Sequence, residues 1–349
     1  MPNPLLPNHG GRLVSRRRIN SALVAIVLAV ATVGCGPGPS PTPSAGTTKL
    51  VVGLGFTPSV QFAPFYLADQ AGYYRAAGLD VTFQNQIDPN LITLVGQGSI
   101  DLGLADGTSV VPAASQGIPI KYLATVYGTF PSIVFAKASS GIASAADLKG
   151  KRIGIPGRYG SSWVMLQALL GSAQLTASDV TIVEYPDFGQ GAALSQGQID
   201  AATGFANNEP VQAQLAGTQV NVLHVDDTIR LPGPGFIAGT TTLSTKRAAI
   251  SAFIAATFRA MREIAGDPAK GLAAAVAAVP ELGQKPSTQA AILDATIAAW
   301  KAPNGTGVFG AIDRAGWQAS IEYMTTLGMV PKAVTLDDVL DDLSGASAT

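Results

Sequence analysis

Two short runs hold most of the side chains in this chain that could work together on a small molecule. Asn207-Asn208-Glu209 supplies two amides and a carboxylate ahead of Pro210. Pro156-Gly157-Arg158-Tyr159-Gly160-Ser161-Ser162 supplies a ring, a guanidinium, two hydroxyls and consecutive backbone N–H groups where a helix should open. Amides at a helix N-terminus suit an anion or a carbonyl oxygen. Arg158 would either pair with an oxyanion there or keep its head in water. Asn-Asn-Glu reads both as a helix cap, since Asn caps well and acids favour a first turn, and as a set of ligand contacts. Gln61 and Asp106 are further polar candidates, and Phe56, Phe62, Tyr127 and Tyr159 are candidate aromatic faces. A flat heteroaromatic ligand needs faces to stack on and a few donors and acceptors to orient its edge.

Catalytic readings find little to stand on. Beyond His9 the only histidine is His224, in an apolar strand context that points to a structural role, and Cys35 is the only cysteine. That leaves no zinc cluster and no Cys-His pair. No Gly-x-Ser-x-Gly elbow and no P-loop occurs. The expectation is a binding protein, not an enzyme, without cofactor or metal.

The elements that must position these residues come in two similar sets. Gly98-Ser99-Ile100-Asp101-Leu102 returns as Gly197-Gln198-Ile199-Asp200-Ala201, and Asp80-Val81-Thr82 returns at the same offset as Asp179-Val180-Thr181. A period of about a hundred residues is too long for a solenoid and fits two α/β lobes. Apolar runs at 50–54, 79–84, 102–105, 122–127, 133–137, 152–155, 220–225 and 236–241 read as strands, and the segments between most of them as helices. This predicts parallel sheets with right-handed crossovers. Open sheets of this kind bind ligands at the carboxyl ends of their strands, where Asp106 and Asn207-Asn208-Glu209 fall. Ser161 or Ser162 should cap the helix carrying Val164, Leu166, Leu169 and Leu170. Beyond residue 241 the chain is helical: Ile250, Phe253, Ile254, Phe258, Met261 and Ile264 share one face. Two further helices follow, one with Ile292, Ile297 and Trp300, the other with Trp317, Ile321, Met324 and Leu327. Such stripes are core.

The N-terminus reads as an address. Arg12, Arg16, Arg17 and Arg18 precede an apolar run from Ala22 to Val33 that is short for a bilayer span. Thr32-Val33-Gly34-Cys35 then resembles a lipobox, which would place a lipid on Cys35. Gly36-Pro37-Gly38-Pro39-Ser40-Pro41 opens a Pro/Gly/Ser tether without core-forming residues. Charged residues make up 13% of the chain and apolar ones 47%, so the rest is compact and globular. A formal charge of −1, with four arginines already inside the leader, excludes nucleic-acid binding as the main business.

Several separated motifs, in order, carry a family resemblance. Gly55-Phe56-Thr57-Pro58-Ser59-Val60-Gln61-Phe62-Ala63-Pro64, Gly72-Tyr73-Tyr74, Gly98-Ser99-Ile100-Asp101 and Asp147-Leu148-Lys149-Gly150-Lys151 resemble the solute-binding proteins of ABC importers for thiamine pyrimidine precursors, riboflavin and sulfonates. The resemblance covers about residues 49–260. Val60-Gln61-Phe62-Ala63-Pro64, the Pro156 to Ser162 loop and Ala206-Asn207-Asn208-Glu209-Pro210 are most like riboflavin-binding members. The pyrimidine binders usually have an Asn and a His before the Ala-Pro pair, where Ser59 and Phe62 stand here. The resemblance implies a two-lobed periplasmic-binding fold of type II with two crossover strands and a helical C-terminal part. It divides the chain into a signal peptide with lipobox at 1–35, a tether at 36–48, lobe 1 at 49–130 plus 237–349, and lobe 2 at 131–236. Hinges fall near Ile133 and Phe236. The implied function is an exported, lipid-anchored binding protein, monomeric, that delivers a heteroaromatic vitamin to an ABC permease and its ATPase. A pyrimidine precursor, an alkanesulfonate- or nitrate-type oxyanion, or a role as a sensory module are the alternatives.

Overall fold

The computed structural model describes residues 46–87, 90–226, 228–301 and 310–347. The leader, Cys35 and most of the 36–48 tether lie outside the described residues. Among the described residues, no helix is long and apolar enough to cross a membrane.

The first set of elements runs β1 (Thr48–Leu54), α1 (Ala63–Gln70), α2 (Tyr73–Ala76), β2 (Leu79–Asn85), α3 (Asn90–Gly96), β3 (Leu102–Asp106), α4 (Gly107–Ser115) and β4 (Ile120–Thr125). The chain then crosses to β5 (Ser132–Lys137), β6 (Arg152–Ile155), α5 (Gly160–Ser172), β7 (Thr181–Glu184), α6 (Gln190–Ser195), β8 (Ala201–Phe205), α7 (Glu209–Leu215) and β9 (Val220–His224). It returns as β10 (Pro234–Gly239), followed by α8 (Thr240–Gly266), α9 (Pro268–Ala278), α10 (Pro286–Ala299), α11 (Arg314–Thr326) and α12 (Leu336–Val339).

Two five-stranded sheets result, with orders β2-β1-β3-β10-β4 and β7-β6-β8-β5-β9. They are the same sheet built twice. In sheet 1, β1 pairs in parallel with β2 and β3, while β10 is antiparallel between β3 and β4. In sheet 2, β6 pairs in parallel with β7 and β8, while β5 is antiparallel between β8 and β9. Each sheet therefore receives its antiparallel strand immediately after a crossing. The second crossing ends before Pro234, so Pro234 to Phe236 belong with sheet 1 and not with the second lobe. Ile133 and Phe236 themselves are fully buried inside β5 and β10.

The internal repeat has a structural job. Asp101 Oδ2 accepts the Val51 N–H at 2.9 Å while the Asp101 N–H bonds back to Val51 O. Asp200 makes the same reciprocal pair with Arg152, its Oδ2 accepting the Arg152 N–H at 2.8 Å. Each repeated Asp ties the approach to β3 or β8 onto β1 or β6, ahead of the carboxyl ends of β3 and β8.

One apolar cluster covers a face of sheet 1 with α1, α8, α9 and α10. At its centre Tyr74 stacks on Phe253 with ring centroids 4.7 Å apart, Phe65 lies roughly parallel to Phe253 on a wider spacing, and Phe236 meets both Phe65 and Phe253 edge-on. The expected stripe of α8 is buried there from Ile250 to Ile264. Helix α9 is Ala-rich, with only Leu272 and Val276 to mark its period, and adds a separate helix within the helical part expected beyond residue 241. A second cluster is shared by both sheets: Val110, Val111 and Tyr122 lie in it with Val134, Ile153 and Leu166, and Trp317 and Met324 close it. Trp317 sits edge-on to Tyr122 at 4.7 Å, and Met329 accepts a bond from Gln167 of α5. The C-terminal part thus packs against elements of both sheets. His224 ends β9 on the edge of sheet 2 and is exposed.

Candidate functional site

Each parallel βα unit leaves the carboxyl end of a strand and the N-terminus of the next helix at the same edge, and both sheets turn that edge to a common cavity. The wall from sheet 1 carries Gly55 and Phe56 after β1, Gln61 and Phe62 in a short 3-10 turn, Asp106 at the end of β3 and Tyr127 after β4. The wall from sheet 2 carries Pro156 and Tyr159 to Ser162 after β6, Phe188 and Gln190 after β7, and Asn208 and Glu209 after β8. Eleven of the thirteen ligand-contact residues expected from the sequence come together here; Arg158 and Asn207 do not.

Arg158 is displaced by backbone alternation. Tyr159 is extended, at φ −149° and ψ 169°, so neighbouring side chains point to opposite sides. The Arg158 guanidinium pairs with Glu184 at 3.2 Å and lies over the Trp163 ring, on the outer surface. Asn207 is buried behind the wall. Its Nδ2 donates to Gln61 Oε1 at 2.9 Å and to Thr296 Oγ1 at 2.8 Å, and its Oδ1 is buried without a partner in the protein.

The loop after β6 places its groups by small steric permissions. A Cβ at Gly157 would lie 2.3 Å from the Tyr159 ring, so only glycine lets that ring fold back across the loop. Gly160 at φ +62° turns the chain into α5 two residues earlier than a serine cap would. Tyr159 is therefore the N-cap, without a side-chain cap bond, and Ser161 and Ser162 lie in the first turn. Their N–H groups are among the four that an α-helix leaves without helical partners.

Glu209 is not a plain helix-capping acid either. Its Oε2 accepts the Phe205 N–H at 2.7 Å and its Oε1 accepts from Asn208 Nδ2 at 3.1 Å. A Cβ on Gly204 would stand 2.7 Å from that Oε2, so glycine at 204 is what lets the carboxylate fold back over β8. Desolvation pushes the Glu209 carboxyl above its ordinary pKa, against the opposing pull of those bonds. Among the described residues lining the cavity there are two carboxylates, Asp106 and Glu209, and no Lys, Arg or His. Tyr127, buried, donates weakly to Gln61 Oε1 at 3.4 Å, and burial holds its phenol above the usual range.

Phe188 and Gln190 were missed from the sequence. Phe188 packs edge-on against Phe56 from the opposite sheet, with centroids 5.1 Å apart. It is held at φ +61°, a conformation that non-glycine residues seldom adopt and that gathers at functional sites. The signal available was position alone: both follow the carboxyl end of β7. Among the described residues, no group of three His, Cys, Asp or Glu side chains is placed to hold a metal ion.

The NMT1/THI5-like family model matches residues 59–271. The chain is 31% identical to the riboflavin-binding protein RibY of Chloroflexus aurantiacus over 295 residues, covering 82% of this chain and 83% of that one. It is 26% identical to a 4-amino-5-hydroxymethyl-2-methylpyrimidine phosphate synthase of Uromyces fabae, over 53% of this chain and 56% of the synthase. Among solved structures, the alkanesulfonate-binding protein SsuA of Xanthomonas axonopodis pv. citri, bound to MOPS, superposes with a TM-score of 0.68 at 21% identity, covering 86% of this chain and 100% of that one. The architecture is that of the periplasmic binding proteins.

Proposed function

The chain belongs to the NMT1/THI5-like family, and from that premise we propose that it is the extracytoplasmic solute-binding component of an ABC importer. It takes a flat, donor-bearing heteroaromatic ligand, riboflavin first, between its two sheets and hands it to the permease. The observation that carries this is the lining of the cavity. Aromatic rings from both walls face a space whose side-chain charges are carboxylates only. A ring gains about 0.5–1.5 kcal/mol per aromatic pair beyond burial. An oxyanion taken out of water needs charge-assisted donors, and it would meet Asp106 and Glu209 instead. The identity to RibY supports the riboflavin choice.

A thiamine pyrimidine precursor is the second reading, supported by the kinship with pyrimidine phosphate synthases. A synthase activity has less behind it, since the 31% identity over 82% of the chain is to a binding protein. The anchoring role proposed for Cys35 completes the assignment: lipid there and the tether behind it would hold the binding domain at the membrane.

Titration of the purified protein with riboflavin, followed by quenching of flavin fluorescence, tests the ligand. Saturable one-to-one quenching is expected. Calorimetry with an alkanesulfonate should give no heat of binding, and a strong sulfonate response without a flavin response overturns the reading. Cys35→Ser should leave the membrane fraction; unchanged fractionation overturns the anchor.

A further inference from the structure

Gln190 opens α6 and is 2% exposed, yet it lines the ligand cavity. Its Nε2 donates to Thr203 O at 3.2 Å, while its Oε1 is buried with no hydrogen-bond partner in the protein. The bond to Thr203 fixes the amide's orientation, because flipping it would set two oxygens against each other. Two residues along β8, the Phe205 N–H holds the Glu209 carboxylate at 2.7 Å. The same three-residue stretch, Thr203-Gly204-Phe205, therefore anchors both groups. The next residue after Gln190 also approaches the acid: a Cβ at Gly191 would stand 3.7 Å from Glu209 Cγ.

Both residues line the cavity, Gln190 with an acceptor that has no partner in the protein and Glu209 with a carboxylate whose two oxygens take one protein bond each and have lone pairs left for more. A buried acceptor left unmade is costly, and a ligand oxygen brought against it adds repulsion. We propose that Gln190 and Glu209 form an acceptor pair that reads two adjacent N–H or O–H donors on one edge of the ligand, and so sets specificity for ligands with paired donors over oxyanions. This rests on the solute-binding reading and deepens it. In riboflavin two adjacent donors are found on the ribityl chain, as hydroxyls, since the imide edge carries a single N–H between two carbonyl oxygens.

The test measures affinities of riboflavin, 3-methylriboflavin and lumiflavin for the wild type, Gln190→Met and Glu209→Gln, with melting curves to check folding. 3-Methylriboflavin lacks the imide N–H, and lumiflavin lacks the hydroxylated chain. Gln190→Met should weaken riboflavin and 3-methylriboflavin about tenfold or more and change by less than about twofold the binding of lumiflavin. Glu209→Gln, which turns one acceptor into a donor at constant size, should show the same pattern and stands alone if Gln190→Met does not fold. Unchanged riboflavin affinity in the substituted protein overturns the pair, as does an equal loss for all three flavins, which would mark a packing defect. Failure of the functional reading appears elsewhere, in the wild type. If the wild type binds 4-amino-5-hydroxymethyl-2-methylpyrimidine and no flavin, riboflavin is the wrong ligand, and a tenfold loss of the pyrimidine in Gln190→Met upholds the pair. Binding of neither overturns both.

Discussion

Asn207 Nδ2 stands 2.9 Å from Gln61 Oε1, and that bond joins the two walls of the cavity. Asn207 follows β8 of sheet 2, whereas Gln61 lies in the turn after β1, and Thr296 of α10 takes a second bond from the same nitrogen. The bonds are buried, so they exist only when the walls are together. Asn207 has no place in the cavity lining, yet a bond between the walls would favour a closed form over an open one and so bear on affinity.

Asn207→Ala should therefore weaken riboflavin binding about tenfold, near 1.4 kcal/mol, mainly through faster dissociation. Stopped-flow release measures this. Small-angle scattering of the ligand-free variant should show a larger radius of gyration than the wild type. Equal off-rates and equal radii would show that the bond has no part in closure.

Glu209 gives a pH signature with a defined sign. An acid whose native pKa is raised binds its proton more tightly folded than unfolded, so stability falls as pH rises from the ordinary carboxylate range through the raised value. Glu209→Gln removes that slope. The two proteins should melt alike near pH 4 and diverge above it in favour of the variant, while the wild type alone gains flavin affinity as its carboxylate ionises. Melting temperatures that run parallel across pH would show that the carboxylate is not desolvated.

How much of this was legible follows from what each residue's signal is. The doubled sheet showed through because apolar runs and the repeated Ile-Asp are local, and the Asp101 and Asp200 bonds give the repeat the same structural role in both sheets. Gln61, Asp106, Tyr159 and Glu209 showed through as polar or aromatic residues at strand ends and loop starts. Arg158 misled because adjacency in sequence is opposition in space on an extended backbone. Phe188 and Gln190 carried no motif; their importance comes from a partner on the other sheet and from an unpaired oxygen, neither of which a linear reading can see.

Arg158→Gln should leave flavin affinity within about twofold of the wild type, as expected for an exposed ion pair worth roughly 0–1 kcal/mol. Its guanidinium is committed to Glu184 and Trp163 outside the cavity. Sulfonate binding that this substitution abolishes would place the guanidinium at the ligand after all.

Phe253 is the packing counterpart. It stacks on Tyr74 and meets Phe65 and Phe236. Phe253→Ala should cost about 3–5 kcal/mol in urea unfolding, with the flavin affinity of the folded fraction unchanged. A loss of affinity without a loss of stability would contradict this division between core and site.

The place of β10 in sheet 1 also governs the order in which the molecule can be made. β3 and β4 are not neighbours; the strand that joins them begins at Pro234, after every strand of sheet 2 has been synthesised. Sheet 2 is contiguous from Ser132 to His224 and can close as soon as it emerges. Sheet 1 must wait over about a hundred further residues with its pairing edges open, a delay set by the entropy of long-range closure. A nascent chain of this topology can finish the sheet it begins second before the sheet it begins first, because only sheet 1 has to wait for its own return strand.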